Sequence, residues 1–201
     1  MDTILYEVHD NLYVNLTNRC PCACTFCLRQ THDTVGRSGP LWLSHEPSAE
    51  EVIAAFSDFD MTKYNELVFC GFGEPTCALD VLLKVADYAK AHFSNKIRLN
   101  TNGLADLVNK KSVAPLLKGR IDIVSISLNT PDPKRYKDIV RPEFGEKAFS
   151  ALLDFARECV KYVPSVILST VSTTITKEEE EVCADICREI GAAYRIREYE
   201  G

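Results

Sequence analysis

Four of the nine cysteines lie within one eight-residue stretch, at positions 20, 22, 24 and 27. Cys20, Cys24 and Cys27 have the spacing C-x3-C-x2-C, and three thiolates on a short loop can bind three irons of a four-iron, four-sulfur cluster. The fourth iron then has no protein ligand and can bind a small molecule. Zinc is the alternative, but it normally takes four ligands from two spaced pairs, and no second pair lies nearby. The spacing therefore predicts a [4Fe-4S] cluster with one open iron.

The rest of the composition is that of an ordinary globular protein, with 46% hydrophobic and 26% charged residues. A formal net charge of -6 repels phosphate backbones, so we expect a small-molecule substrate and no nucleic-acid partner. The sequence has no apolar run of membrane-spanning length and no secretory leader, so we expect no membrane contact and a cytoplasmic location. Cysteines in that reducing compartment serve metals or catalysis rather than disulfides.

The elements that must position these cysteines alternate between strand and helix. Apolar segments predict six strands, at residues 12–17, 66–70, 96–100, 121–128, 165–169 and 194–198. Helical periodicity predicts five helices, the first beginning at the N-cap Ser48 and the others at residues 79–92, 105–117, 146–162 and 177–190. We therefore expect an α/β fold, a partial TIM-like (β/α)6 barrel that forms one domain over residues 1–201. In such barrels the chemistry lies at the carboxyl ends of the strands, where the unusual motifs of this chain occur.

The cysteine loop, with residues 17–19 before it, resembles the signature of the radical S-adenosylmethionine (SAM) superfamily. Three later segments resemble motifs of that family in the same order. They are GFGEP at residues 71–75, LNTNG at residues 99–103 and SISLN at residues 125–129. Phe72 stands where the family usually has a glycine. The aromatic Phe26 before Cys27 also matches the family, whereas Cys22 is interpreted as a bystander.

This resemblance implies two cofactors, a [4Fe-4S] cluster held by Cys20, Cys24 and Cys27, and SAM bound at the open iron. Reduction of SAM would release a 5′-deoxyadenosyl radical that abstracts a hydrogen atom from the substrate. A low-potential donor such as flavodoxin or ferredoxin would supply the electron. The residues that the resemblance implies in SAM binding are Phe26, Gly71, Gly73, Glu74, Asn100, Asn102, Ser127, Asn129 and Ser169.

Within the superfamily, residues 4–19, 69–71 and 195–199 resemble the small TatD-associated group and, inside it, the queuine lyases. That resemblance implies a lyase that cleaves a C–N bond of free queuine, a deazapurine base, and releases 7-aminomethyl-7-deazaguanine, a precursor for tRNA modification. The alternative is a glycyl-radical-enzyme activase, which shares the cysteine spacing. Such activases usually carry an Asp-Gly-Pro-Gly stretch before the first cysteine, and residues 10–13 do not match it.

Under the lyase interpretation, Arg197 and Glu198 are expected to act on the substrate. The deazaguanine edge presents N–H donors, so a carboxylate acceptor is expected in the pocket. The candidates for this carboxylate are Glu198, Glu200, Glu46 and Asp33. The polar strand ends expected to supply further hydrogen bonds to the substrate are Asn15, Asn102, Ser169 and Arg197.

Several residues keep two interpretations at this point. Arg195 and Arg197 form either a solvated edge strand or a clamp for the SAM carboxylate or a substrate oxygen. Trp42 either stacks on a flat ring or anchors its loop. The cysteines interpreted as buried core thiols rather than pocket or metal-site residues are Cys70, Cys77, Cys159, Cys183 and Cys187.

Overall fold

The computed structural model describes residues 2–198, and these form one sheet of seven strands together with six α-helices. The strands lie across the sheet in the order of the chain. They are β1 (Leu5–Val8), β2 (Asn11–Val14), β3 (Glu66–Phe69), β4 (Lys96–Thr101), β5 (Ile123–Ser127), β6 (Ser165–Val171) and β7 (Ala193–Arg197). The helices are α1 (Ala49–Ala55), α2 (Leu79–His92), α3 (Ala105–Asn109), α4 (Pro133–Val140), α5 (Lys147–Tyr162) and α6 (Lys177–Ile190).

Strands β2 to β7 run parallel, each to the next, whereas β1 is antiparallel to β2. Within residues 2–198 the sheet is open, with β1 and β7 at its edges. Six parallel strands in an open sheet match the partial barrel predicted from the sequence, so the predicted fold class is confirmed. The additional strand β1 is only four residues long and turns into β2 at His9, whose φ of 50° is left-handed.

Two helical predictions were wrong in detail. The helix predicted over residues 105–117 ends at Asn109, because Lys110 adopts a left-handed conformation (φ 53°) and Pro115 then begins a separate 3-10 turn. Helix α4 was missed, although its start has a clear signal. Asp132 caps the helix by accepting a hydrogen bond from the Arg135 amide, and a proline occupies the first turn.

The predicted start of α1 is confirmed. The Ser48 hydroxyl accepts a hydrogen bond from the Glu51 amide (3.2 Å), and the Glu51 carboxylate accepts one from the Ser48 amide (2.8 Å). This reciprocal capping box satisfies two amides that the helix itself leaves without partners. Among the helices formed by residues 2–198, none combines the length and the apolar character needed to cross a membrane.

The two faces of the sheet differ in chemistry because side chains alternate along each strand. One face, here called the helix-covered face, carries fully buried apolar residues such as Leu99, Val124 and Leu168, and helices α5 and α6 pack on the last strands. The opposite face, here called the polar face, carries residues such as Asn100 and Ser125 at the next positions. The hydrophobic core therefore lies between sheet and helices, and the polar face is left for a site.

Candidate cofactor and substrate site

A cavity of about 190 Å³ lies at the carboxyl ends of the parallel strands. It brings together residues that are far apart in the chain, from the ends of β3, β4, β5, β6 and β7. The residues that line it are Cys70, Gly73, Glu74, Pro75, Asn100, Thr101, Asn102, Ser125, Ser127, Ser169 and Arg197. This set joins the glycine turn, the T-N-G turn and the polar ends of later strands, as the sequence predicted.

The cysteine loop follows β2 and is held in place by the last turn of α4 and by the chain after it. The Thr25 amide donates a hydrogen bond to the Ile139 carbonyl (2.8 Å), and the Glu143 amide donates one to the Pro21 carbonyl (2.9 Å). A fixed loop can present several side chains in one geometry at low entropic cost. Helix α4, which the sequence analysis missed, thus helps to position the cysteines.

The thiols of Cys20, Cys24 and Cys27 are half-buried, whereas Cys22 is buried within hydrogen-bonding reach of Cys20 and Cys24. Hydrogen bonding to Cys22 lowers the pKa of Cys20 and of Cys24. Burial raises the pKa of Cys27. Cys22 therefore contacts two of the three predicted ligands, but its own side chain is buried.

The donor set fits a cluster better than a single ion. Among residues 2–198, no group of three or more histidine, cysteine, aspartate or glutamate side chains is arranged to hold one metal ion. A zinc site requires such convergence, because all ligands share one centre. In a cubane cluster each thiolate binds its own iron, so three half-buried thiols spread along a loop are suitable ligands.

The glycines of residues 71–75 are required by close packing. A Cβ atom added to Gly71 would lie 2.1 Å from the Asn15 Oδ1 atom, and one added to Gly73 would lie 2.1 Å from the Thr17 carbonyl oxygen. Gly73 therefore lies directly against the segment that leads from β2 into the cysteine loop. Only glycine allows the backbone of this turn to approach so closely and remain open toward the cavity.

Phe72, at the position where the family usually has a glycine, has a structural role. Its ring is 7% exposed, forms a small cluster with Tyr6 and Leu41, and packs edge-to-face on Trp42 with ring centroids 5.3 Å apart. Such aromatic pairs add stability beyond the area that they bury. The ring thereby ties the turn to the loop after the cysteines, which supports the anchoring interpretation of Trp42.

Glu74 is buried, and its carboxylate is occupied by protein donors. It accepts hydrogen bonds from the Thr76 amide (3.1 Å), the Thr76 and Thr101 hydroxyls (2.8 and 2.7 Å) and the Asn102 amide (2.8 Å). Burial raises the pKa of this carboxyl, while the four hydrogen bonds oppose that effect. Glu74 thus joins the glycine turn to the T-N-G turn, and it is the backbone around it that faces the cavity.

The later strands supply amides and hydroxyls. The side-chain Nδ2 atom of Asn102 lies 3.6 Å from the Cys22 sulfur and 3.9 Å from the Cys20 sulfur, which places the T-N-G turn against the cysteine loop. Among residues 2–198 the Oδ1 atom of Asn100 is buried without a hydrogen-bond partner, and Asn100 lines the cavity. This acceptor can take a hydrogen bond from a ligand in the cavity.

The remaining predicted SAM residues are placed in two ways. Ser127 and Ser169 line the cavity on neighbouring strands, where β5 and β6 pair in register. Asn129 is 5% exposed, has a left-handed φ of 67°, and donates from its amide to the Ser127 carbonyl (3.3 Å). It does not line the cavity formed by residues 2–198, and Phe26, half-buried on the cysteine loop, does not either. Asn129 lies two residues after Ser127, which does line the cavity, and Phe26 lies on the loop that carries the cysteines.

The predicted carboxylates do not gather at this site. Glu46 is paired with Arg19 (2.6 Å) and lines a second cavity of about 500 Å³ that shares no lining residue with the first. Asp33 and Glu198 are exposed, and neither lines the first cavity. Glu200 lies outside the described residues. The sequence could not reveal these outcomes, because a formal charge does not indicate which way a side chain points.

The predictions for Asn15 and Cys70 were wrong, and the structure distinguishes Arg195 from Arg197. Asn15 is fully buried and donates to the Thr3 and Leu41 carbonyls (3.2 and 2.8 Å), so it fastens the chain rather than contacting a substrate. Cys70 lines the cavity instead of the core. Arg197 also lines the cavity, whereas Arg195 is exposed. The period-two alternation from the buried Phe69 would have placed Cys70 on the polar face.

The other cysteine predictions divide similarly. Cys159, Cys183 and Cys187 are buried, as predicted for core thiols. Cys77 is half-buried and lines the second cavity, so the core interpretation was wrong for it. Burial raises its pKa to about 12, which keeps the thiol protonated at neutral pH.

Known proteins of similar sequence include GTP 3′,8-cyclases. The probable GTP 3′,8-cyclase of Thermococcus kodakarensis is 28% identical over 79% of this chain and 46% of the relative. The GTP 3′,8-cyclase of Limosilactobacillus fermentum is 28% identical over 68% of this chain and 39% of its own length. The chain therefore spans less than half the length of these curated relatives.

Solved structures with the same fold include two with bound SAM. Streptococcus suis SuiB bound to S-adenosylmethionine aligns with a TM-score of 0.65 at 19% identity, covering 94% of this chain and 38% of SuiB. The native anSMEcpe with bound AdoMet aligns with a TM-score of 0.64 at 19% identity, covering 93% of this chain and 50% of that protein. At such identities the likeness shows the fold alone.

The family model for the radical SAM superfamily matches residues 14–186, which include the cysteine loop, the glycine turn and all strands from β3 to β6. Its members use a [4Fe-4S] cluster and SAM, and the thiols and the glycine turn described above fit those two cofactors. Because the match covers most of the sequence, this chain belongs to the radical SAM superfamily.

Proposed function

We propose that Cys20, Cys24 and Cys27 hold the cluster and that SAM and a small deazapurine substrate bind over the polar face, at the carboxyl ends of the strands. Three half-buried thiols on a fixed loop support the cluster assignment. The bound cofactors would supply reductive cleavage of SAM, which generates a radical able to remove a hydrogen atom from a substrate. Everything specific to this reaction must then come from how the chain binds and orients the two molecules.

The turn around Gly73 and the polar strand ends would orient SAM. Gly73 and Glu74 line the cavity, and Glu74 fixes the backbone of this turn through its four protein hydrogen bonds. The Ser127 and Ser169 hydroxyls on adjacent strands can bind a ribose, which presents two neighbouring hydroxyl groups. This arrangement holds one ligand across several strand ends, where it also lies next to the cysteine loop.

The substrate that we propose is queuine, with cleavage of the C–N bond that joins its aminomethyl nitrogen to the cyclopentenediol ring. One observation carries this choice: among the described residues, the lining is polar but has one cation, Arg197, and one acidic residue, the already satisfied Glu74. Queuine has no phosphate or carboxylate group, so its base edge and diol can be held by hydrogen bonds without a cluster of cationic side chains. The orphaned Asn100 Oδ1 atom is an acceptor for an N–H group of such a base.

The relatives suggest a competing substrate, because two of them are named for action on GTP. A triphosphate carries several negative charges and is usually bound by several arginines or lysines. A single lining arginine is a poor match, and this chain spans less than half of those relatives. The glycyl-radical activase has no support among the relatives and structures described above.

The test is product analysis with cluster-loaded protein in a reducing, anaerobic solution. Protein, SAM and dithionite are mixed with queuine or, in a parallel reaction, with GTP, and products are identified by mass spectrometry. We expect 5′-deoxyadenosine and 7-aminomethyl-7-deazaguanine from the queuine reaction only. The Cys27→Ala variant, without an intact ligand set, is the control for spontaneous decay.

The outcomes separate the levels of the proposal. Conversion of GTP with queuine left intact would replace queuine by the substrate of the relatives. Cleavage of SAM with neither substrate changed would remove both substrates and leave the cofactor assignment standing. Failure to load iron into the wild-type protein would contradict the cluster assignment itself.

A further inference from the structure

Arg29, two residues after the last predicted cluster ligand, connects three separate segments of the site. Its guanidinium donates hydrogen bonds to the carbonyls of Cys22 (3.2 Å), Asn18 (3.4 Å) and Phe72 (3.4 Å). Cys22 lies within the cysteine loop, Asn18 leads into it, and Phe72 precedes Gly73 in the glycine turn. One side chain therefore fastens the cysteine loop to the turn that faces the cavity.

The backbone around Arg29 is itself fixed. Residues Leu28–Gln30 form a 3-10 turn whose first bond joins the Gln30 amide to the Cys27 carbonyl (3.0 Å). The side chain is half-buried, so its charge acts through a medium of lower dielectric than water. Its direction is set by the three carbonyls, which a planar guanidinium can reach together and a single ammonium group cannot.

The charge of Arg29 is held against the cysteine loop. Its Nη2 atom lies 3.2 Å from the carbonyl oxygen of Cys22, which stands between Cys20 and Cys24 in the sequence. A half-buried cation fixed at this place favours added negative charge on a cluster that the neighbouring thiolates hold.

We propose that Arg29 is a positioning residue that locks the cysteine loop to the SAM-binding turn and raises the reduction potential of the cluster. Reduction adds one electron to the cluster, so a nearby fixed cation favours the reduced state. The same side chain holds the Phe72 carbonyl and so fixes the backbone that orients SAM. This inference rests on the proposed assignment of the cluster to Cys20, Cys24 and Cys27.

The experiment separates the charge from the hydrogen bonds with the variants Arg29→Gln and Arg29→Lys. The matched control is Arg37→Gln, which removes the same charge from an exposed position on the same loop. Each reconstituted protein is assayed for iron content, for the midpoint potential by electron paramagnetic resonance in a redox titration without SAM, and for SAM affinity by calorimetry. No substrate is needed, so the result does not depend on the identity of the substrate.

We expect Arg29→Gln to bind iron with a more negative midpoint potential and to bind SAM about tenfold more weakly, the value of one charge-assisted hydrogen bond. Arg29→Lys should restore most of the potential and little of the SAM affinity. Arg37→Gln should match the wild type in both. If Arg29→Gln binds no cluster, the midpoint potential and SAM affinity of Arg29→Lys test the proposal. A lysine variant with wild-type SAM affinity, or a glutamine variant with wild-type potential, would overturn the proposal. A wild-type protein without cluster would instead contradict the ligand assignment on which it rests.

Discussion

The two faces of the sheet use the same strands for opposite purposes. On the helix-covered face, Leu99 and Val124 are fully buried among apolar side chains. On the polar face, Asn100 and Ser125 occupy the next positions and line a cavity, and Asn100 keeps a buried acceptor without a protein partner. Adjacent residues are thus under different constraints, one set by packing and the other by ligands. Substitutions on the two faces should therefore affect different measurements.

The largest effects are expected at the cysteine loop, which carries the proposed cluster ligands. Cys20→Ala, Cys24→Ala and Cys27→Ala should each lose the cluster, because each thiolate would be the sole protein ligand of one iron. Cys22→Ala should keep it, although Cys22 touches two of the ligands. Iron and sulfide analysis of anaerobically reconstituted variants checks this. A Cys22 variant without cluster would show that the ligand set was chosen wrongly.

Gly73→Ala should have nearly as large an effect, because it disturbs both the packing of the glycine turn and the binding of SAM. The new Cβ would lie 2.1 Å from the Thr17 carbonyl oxygen, so the turn or the segment before the cysteine loop must move. We expect SAM binding to be lost. Gly119→Ala is the control, since its Cβ would meet nothing within 4 Å and its φ of 75° adds only backbone strain, roughly 1–2 kcal/mol. SAM affinity measured by calorimetry should be normal in that control, and equal affinities in the two variants would contradict the role of Gly73.

The sequence predicted the framework well, because alternation of apolar segments reports the helix-covered face directly. It also identified the cysteines and the glycine turn, whose spacings are local. It failed where the outcome depends on contacts between distant residues. Glu46 was offered as a substrate ligand, yet it pairs with Arg19, which is distant in the sequence. Asn15 was expected at the substrate, yet it holds the backbone of Leu41.

The sequence analysis also missed Arg29, because its role depends on contacts between distant residues. Nothing about an arginine after a cysteine motif predicts that it will bond three carbonyls, because one of these, that of Phe72, belongs to a turn reached only after β3. Helix α4 was missed although Asp132 and Pro133 signal its start, since its eight residues are mostly polar. Local signals were therefore sufficient for most elements, and long-range contacts decided the individual roles.

A pair of neighbouring substitutions tests the contrast between the faces directly. Leu99→Ala should destabilise the protein by about 2–5 kcal/mol, because it leaves a cavity in a fully buried core. Asn100→Ala should change the free energy of unfolding by about 1 kcal/mol or less, since it removes an acceptor that has no protein partner. We expect Asn100→Ala to weaken ligand binding instead. Denaturant unfolding together with calorimetric titration separates the two, and a large loss of stability in Asn100→Ala would mean that this face is structural as well.

The smallest expected effect comes from the end of β7, where two neighbouring charges differ in placement. Arg197 lines the cavity, whereas Glu198 is exposed. Arg197→Gln should weaken ligand binding by about 1.5–3 kcal/mol, the value of a hydrogen bond from a charged group. Glu198→Gln should stay within about 0.5 kcal/mol of the wild type, as is usual for surface substitutions.

Titrating SAM first without substrate and then with it shows which ligand Arg197 holds. An equal loss in both titrations would identify a clamp on the SAM carboxylate, and a loss seen only with substrate would identify a substrate contact. An Arg197→Gln variant that binds both ligands normally would return β7 to the solvated edge strand that its sequence equally allowed. A strong loss in Glu198→Gln would show instead that the end of β7 folds over the cavity when ligands are bound.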